Sequence, residues 1–202
     1  MRPSTEPDLT PILNNVGKHI TLDARETTYF TSLLKAVQLN KGDFLFSAGE
    51  VVSSLVYVLS GCLRSYSIDD KGNEHVLQFA PEDWWTGDLG SFTKGTPAIT
   101  YADALEDSTV VRMERADIDQ LYERVPKFER FFRILITNAF IAAQKRLLST
   151  ISHPAEERYR EFIRLYPELD GRVPQKHIAS YLGMTPEFLS TVRKRVREKV
   201  NG

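Results

Sequence analysis

The stretch Pro174–Val200, PQKHIASYLGMTPEFLSTVRKRVREKV, constrains this chain more than any other. It divides into two helical patterns around a Gly183-Met184-Thr185 turn. Thr185 is placed to cap the second helix, Pro186 suits its first turn, and Glu187 puts a negative charge where the helix dipole favours one. On a 3.6-residue wheel Phe188, Leu189, Val192, Val196 and Val200 form one apolar stripe. Glu187, Ser190, Thr191 and Lys194 fall opposite, with Arg193 and Arg197 flanking. The first helix sends Ile178, Tyr181 and Leu182 to the same interior, and Ala179 lets its partner approach closely. Two short helices joined by a Gly turn make a helix-turn-helix unit, whose second helix enters the DNA major groove. The plainer alternative is a packed helical hairpin with a basic surface.

Charge supports the first reading. The 202-residue chain has a net charge of −1. From Gly171 onward seven Lys and Arg stand against Glu187 and Glu198, a local +5, so the rest carries −6. A basic end on an acidic body fits a nucleic-acid module attached to something else. The N-terminal MRPSTEPDLTPILNNV has no signal-peptide pattern, and no apolar run is long enough to span a bilayer. The single cysteine, Cys62, permits no intrachain disulfide and points to a reducing compartment, so a cytoplasmic location is expected. It also excludes an all-cysteine iron–sulfur cluster held by one chain. Cys62 reads as a small apolar strand residue.

Residues 1–20 read as a loosely ordered lead-in with a few anchoring apolar residues. Asp23-x-x-Glu26 is a capping box opening a helix to about Val37, with Phe30, Leu33, Leu34 and Val37 as its buried face. From Lys41 to Met113 the rhythm changes to short apolar or alternating runs: Asp43–Phe46, Leu55–Leu59, Leu63–Ile68, Glu74–Phe79 and Thr109–Met113. Turn signals such as Ala48-Gly49-Glu50 and Ser60-Gly61 separate them, and the pattern predicts an antiparallel sandwich or barrel. Asp69-Asp70-Lys71-Gly72-Asn73 marks a hairpin tip.

Helical signals return over Ala116–Glu123. Val125-Pro126 then breaks the chain before a long helix from Lys127 to about Ile151. One stripe of it, Phe128, Phe132, Leu135, Ala139 and Ala142, has the spacing of a dimer seam. A second, Phe131, Ile136, Phe140, Ala143 and Leu147, is suited to pack on the barrel. His153-Pro154 ends the helix, and Ala155–Tyr166 forms another, with Tyr159, Phe162, Ile163 and Tyr166 inward. The organisation expected is a β domain with an N-terminal helix over 1–115, connecting and dimerisation helices over 116–152, and a helix-turn-helix domain over 153–202.

Helix, barrel, long helix and helix-turn-helix, in this order, resemble the Crp/Fnr family of bacterial transcription regulators. Gly42-Asp43 with Ala48-Gly49-Glu50 resembles the opening of that family's barrel, and Tyr57-Val58-Leu59-Ser60-Gly61 its next strand and turn. Pro81-Glu82-Asp83-x-x-Thr86-Gly87-Asp88-Leu89 stands where those proteins carry a Pro-Gly-Asp…Gly-Glu-Leu segment. The resemblance implies an α+β fold: an N-terminal antiparallel jelly-roll barrel of the cyclic-nucleotide-binding type, a long dimerisation helix and a C-terminal helix-turn-helix. It also implies a homodimer that binds double-stranded DNA, with RNA polymerase as a candidate further partner.

Departures from the family's pattern bear on mechanism. Cyclic-nucleotide-binding members carry an Arg-Ser or Arg-Thr pair whose arginine neutralises the cyclic phosphate. Here that stretch reads Gly95-Thr96-Pro97-Ala98-Ile99-Thr100, without arginine, and the ribose-binding carboxylate has become Asp88. A buried phosphate without its cation is unfavourable by roughly several kcal/mol. Tight binding of cyclic AMP is therefore not expected. The candidate effector pocket comprises Trp85, Gly87, Asp88, Leu89, Ala98, Ile99, Ala143 and Gln144, its effector unassigned. Trp84-Trp85 also suits barrel core. No cofactor is evident, and no metal site is expected, because His75 has no second ligand at a suitable spacing.

On the DNA side the family reads bases with an Arg, a Glu and a second Arg four residues later. The matching positions here are Pro186, Glu187 and Thr191, so only the Glu is kept, and Ser190 matches a serine some members use. Glu187 can accept from a cytosine amine, but the bidentate guanine contacts are lost. The expected DNA-binding set is Lys176, Thr185, Glu187, Ser190, Thr191, Arg193, Lys194 and Arg197, with the preferred site differing from the family's usual one. The β-hairpin wing that follows the second helix in many members has no residues in this chain. The competing reading is an effector- or protein-binding barrel module without specific DNA binding. An enzymatic reading, a metal-dependent cupin, lacks clustered ligands, and no nucleophile–base pair is evident.

Overall fold

A computed structural model describes residues 7–201, with side chains as far as Lys199. Two helices come first, α1 (Thr10–Gly17) and α2 (Ala24–Ser32). Eight strands follow: β1 (Lys35–Leu39), β2 (Phe44–Phe46), β3 (Ser54–Ser60), β4 (Leu63–Ile68), β5 (Glu74–Ala80), β6 (Trp85–Thr86), β7 (Tyr101–Ala104) and β8 (Ser108–Glu114). A short helix, α3 (Leu89–Lys94), lies between β6 and β7. The rest is helical: α4 (Arg115–Arg124), α5 (Lys127–Ser152), α6 (Ala155–Leu165), α7 (Leu169–Arg172), α8 (Gln175–Leu182) and α9 (Pro186–Asn201).

The α+β expectation holds, with one refinement: the strands form two four-stranded antiparallel sheets, β1-β8-β3-β6 and β2-β7-β4-β5, rather than a closed barrel. The chain divides into two compact units. One holds the residues up to Ser65 with Phe79–Ile136, and the other holds Tyr66–Gln78 with the chain from Thr137 onward.

In the first unit β3 reads as a nearly continuous apolar run because both of its faces are covered. Side chains alternate across a strand. Tyr57, Val111 and Met113 point to a core shared with Ile12, Val16, Phe30, Ile118, Leu121, Phe128, Phe131 and Phe132 from the helices. Val56, Val58 and Val110 point to the opposite core, with Leu63, Ala80 and Ala104. The capping box forms as expected: Asp23 accepts from the Arg25 and Glu26 amides, and the Glu26 carboxylate accepts from the Asp23 amide. The helix stops at Ser32, short of the expected Val37. Residues 35–39 instead pair with β8 in the register Val37↔Val110, so sheet pairing overrides a weak helical pattern. The expected loose lead-in contains α1, which buries Ile12 and Val16.

The dimer-seam expectation needs correction at its N-terminal end. Phe132 is 3% exposed and belongs to the core of the first unit. Its ring meets Trp85 at 5.5 Å, Tyr122 at 5.9 Å and Phe131 at 5.2 Å. Both stripes of α5 turn inward there. Further along both stripes are bare: Ala139, Ala142 and Ala143 are exposed, and so are the large side chains Ile136, Phe140 (62%) and Leu147.

In the second unit α6 packs on α8 and α9, and α8 packs on α9. Tyr159, Phe162, Leu169, Ile178, Leu182, Leu189, Val192 and Val196 are buried. Phe188, expected in that stripe, is half-exposed at the mouth of a groove of about 550 Å³ between α6 and α9. Val200 lies outside the described side chains.

Candidate nucleic-acid interface

The turn between α8 and α9 is built as the sequence requires. Gly183 takes a left-handed conformation, φ +65°, and closes α8. The Met184 amide donates to the Ala179 carbonyl at 3.0 Å, satisfying one of the carbonyls a helix end leaves free. Thr185 caps α9 by accepting from the Phe188 amide at 3.2 Å, and Pro186 opens the helix. With Leu189, Val192 and Val196 buried, the other side of α9 is fixed as an exposed polar face.

That face carries Glu187, Ser190, Thr191, Lys194 and Arg197, all exposed. Lys176 is exposed on the first turn of α8, and Thr185 on the turn itself. Lys194 lies 3.9 Å from Glu198, a loose surface pair that water and salt readily loosen. Arg193 does not join them. Its guanidinium turns inward and donates to the Asp170 carboxylate at 2.6 Å and to the Gln175 side-chain carbonyl at 3.1 Å, so the expected phosphate contact is spent on internal structure. Asp170 and Gln175 went unnoticed in the sequence. Asp170 lies in a polar, turn-rich stretch that shows no periodicity, and Gln175 opens α8 on its exposed side, where the apolar pattern gives no signal.

The first helix of the motif is held from behind by a strand edge. The Ser180 hydroxyl accepts from the Val76 amide at 2.9 Å and donates to the Glu74 carbonyl at 2.7 Å. Arg146 on α5 donates to the carbonyls of Val76 at 2.9 Å and Tyr181 at 3.0 Å, and also to that of Leu77. Its guanidinium lies 4.0 Å from the centre of the Tyr181 ring. β5 is an edge strand, whose outward amides and carbonyls need partners, and here the helical side chains supply them. Burial lowers the pKa of Arg146, and the neighbouring Tyr181 and Tyr166 oppose that shift.

The expected effector residues sit apart in role. Trp85 is committed to packing: its ring lies 6.0 Å from Phe131, and its indole donates to Asn15 at 3.1 Å. Asp88 caps α3, accepting from the Ser91 amide at 2.9 Å and the Thr100 hydroxyl at 3.0 Å, so both carboxylate oxygens are engaged. Gly87 lies beside Leu55, and Leu89 is exposed on α3. Ala98 is buried and exchanges backbone hydrogen bonds with Gly49 and Glu50, whereas Ile99 is 84% exposed. Ala143 and Gln144 are exposed on α5. Deeper in the first unit, Arg64 and Asp103 form a buried bidentate pair at 2.7 and 2.9 Å.

A second polar centre also escaped sequence reasoning. Asp83 adopts φ +67° and accepts from Asn15 at 2.8 Å, Tyr57 at 2.8 Å and Lys18 at 2.5 Å. Burial pushes the Asp83 carboxyl up, but the hydrogen bonds from Lys18, Tyr57 and Asn15 outweigh it and hold it below the usual range. The Tyr57 phenol is pushed upward, by burial first and Asp83 second. The network ties α1 to the first unit.

A β domain of the cyclic-nucleotide-binding type joined to a helix-turn-helix defines a DNA-binding transcription regulator. Residues 36–125 match the cyclic nucleotide-binding domain family. The chain is 29% identical over 173 residues to the fumarate and nitrate reduction regulatory protein of Vibrio cholerae serotype O1, covering 79% of this chain and 68% of that one. It is also 29% identical over 171 residues to the transcriptional activator protein anr of Pseudomonas aeruginosa, covering 79% and 69%. FixK2 from Bradyrhizobium japonicum shares the fold, with a TM-score of 0.71 at 18% identity over 82% of this chain and 85% of that one. Together these likenesses support a DNA-binding transcription regulator of the Crp/Fnr type.

Proposed function

We propose that this regulator acts in the cytoplasm as a homodimer, paired along the bare apolar stripe of α5, and presents two copies of α9 to successive major grooves. One observation carries the reading: Glu187, Ser190, Thr191, Lys194 and Arg197 share an exposed face directly behind the buried Leu189, Val192 and Val196. Sequence preference then comes from Glu187, Ser190 and Thr191, and most of the affinity from Lys194, Arg197 and Lys176 on phosphates. Control of transcription follows from engaging or excluding RNA polymerase at the promoter.

The β domain is not a cyclic AMP switch in this reading. Between Gly87 and Thr100 the only cationic side chain is Lys94, which is exposed, and Asp88 is already bonded to Ser91 and Thr100. A cyclic phosphate there would lose its hydration without gaining a guanidinium. The test is footprinting of the purified protein on its own upstream region, with and without cyclic AMP. Selective protection that weakens with salt and with Lys194→Ala or Glu187→Ala, and ignores cyclic AMP, is expected. Binding that is absent or indifferent to sequence would favour a protein-binding module. Micromolar affinity for cyclic AMP would overturn the second half of the proposal.

A further inference from the structure

We infer that Gln175, anchored by Arg193 and Asp170, is a positioning residue for base reading: it sets the first turn of α9 and the Ser190 hydroxyl in the orientation offered to DNA. The inference rests on the proposal that α9 is the helix in contact with bases. The Gln175 amide nitrogen donates to the Pro186 carbonyl at 2.7 Å and to the Ser190 hydroxyl oxygen at 2.5 Å. Its carbonyl oxygen accepts from Arg193 at 3.1 Å, which settles the orientation of the amide. Arg193 donates in turn to the Asp170 carboxylate at 2.6 Å and the Asp170 carbonyl at 3.3 Å, with its guanidinium 5.9 Å from the Tyr159 ring centre. With a side chain only 15% exposed, Arg193 is a fixed post rather than a mobile surface cation.

The consequence falls on Ser190. An exposed serine near the start of a helix samples several rotamers and commonly returns its proton to the carbonyl four residues back. Ser190 has that bond available, to the Pro186 carbonyl at 3.1 Å. Gln175 already donates to the same carbonyl, which leaves it well supplied, while its second contact holds the hydroxyl oxygen in place. A hydroxyl that accepts a hydrogen bond is polarised into a better donor. Ser190 is thereby presented as a pre-oriented donor that turns its proton to a base-edge acceptor at little cost. Guanine, adenine and thymine offer such acceptors in the major groove, whereas cytosine offers an amine. The relay therefore disfavours cytosine at the base facing Ser190.

The test uses the full-length protein and a palindromic duplex selected from a random library. Affinities are then measured for every single base-pair change in the half-site. Ser190→Ala is expected to flatten discrimination at one base pair, where the intact protein rejects cytosine by roughly 5- to 100-fold. Gln175→Glu keeps the shape and the Arg193 contact but removes both N–H donors. It should flatten the same base pair by about 3- to 10-fold, with an unchanged melting temperature and salt slope, and the double variant should be no worse than Ser190→Ala alone. Arg193→Met should show the same positional effect. The inference is overturned if Gln175→Glu weakens all sequences equally or acts at a different base pair from Ser190→Ala. If the unmutated protein selects no duplex at all, the DNA-reading role of α9 fails first and this inference with it.

Discussion

Replacing Phe140 tests the dimer seam where the proposal is most exposed. Phe140 is 62% exposed on α5, in a row with Ile136, Leu147 and Ile151 at four- and seven-residue steps. A buried Phe contributes roughly 150–250 Å² of surface, so about 100–150 Å² of each ring is open to be covered. At about 25 cal/mol per Å² this amounts to roughly 3 kcal/mol per ring, and a two-fold axis counts it twice. Association returns only part of that area term, because ordering costs oppose it. Phe140→Ala should therefore weaken dimerisation by about 2–4 kcal/mol, or roughly 30- to 1000-fold in dissociation constant. Sedimentation equilibrium over a range of concentrations reads the change, with far-ultraviolet circular dichroism confirming that the helix is intact. Ile99→Ala is the control, since Ile99 is still more exposed but lies off the stripe. A Phe140→Ala dimer with an unchanged dissociation constant, or an Ile99→Ala effect of equal size, would refute the reasoning.

Other outcomes follow from single positions. Gly61 and Gly49 have nearly equal φ, +92° and +93°, but a Cβ at Gly61 would lie 2.7 Å from the Ser108 Cα, while one at Gly49 meets nothing within 4 Å. Gly49→Ala should cost about 1–2 kcal/mol for its backbone alone, and Gly61→Ala about 1–3 kcal/mol more for the clash, read as a further fall in urea midpoint. Asp83→Asn keeps a residue that tolerates positive φ but removes the charge, and should cost about 1–2 kcal/mol at pH 7, discounted for exposure. Because the folded Asp83 pKa is depressed, that stability is present above the unfolded value of roughly 4 and fades as pH falls through the folded one, so urea midpoints of wild type and variant should converge in acid, below the unfolded value. Ser180→Ala should leave the Val76 amide without its partner and speed its hydrogen exchange by about tenfold or more.

Features written in local chemistry were legible in the sequence. The Asp23 capping box, the Asp69–Asn73 hairpin tip and the Gly183 helix stop each depend on a few adjacent residues, and each formed. The apolar face of α9 was readable for the same reason, since a 3.6-residue period needs no partner to be seen. What failed depended on distant partners. Lys35–Leu39 became a strand because β8 lies beside it, and Trp85–Thr86 and Tyr101–Ala104 are too short to announce themselves. On α5 the two stripes were visible, but not how far along the helix each would be covered. Phe131 and Phe132 both enter the core because the aromatic cluster with Trp85, Tyr122 and Phe128 receives rings from two sides of the helix. Polar pairs were the least legible: Arg64 with Asp103 and Arg193 with Asp170 are 39 and 23 residues apart, and composition says nothing about who meets whom.

Those long-range pairs alter the functional argument more than the fold. A charged residue can serve a ligand only if the protein has not already spent it. Asp88 is spent on Ser91 and Thr100, and Arg193 on Asp170 and Gln175. To recruit either for a ligand would strip a charge-assisted hydrogen bond, at about 1.5–3 kcal/mol, before any contact with the ligand began. Among the described residues, Glu187, Ser190, Thr191, Lys194 and Arg197 carry no such internal bond to a charged partner except the loose Lys194–Glu198 contact at 3.9 Å. Among the described residues of the sequence-predicted sites, the face of α9 gathers polar groups with no firm bond to an internal charge, and recognition by this regulator should be sought there first.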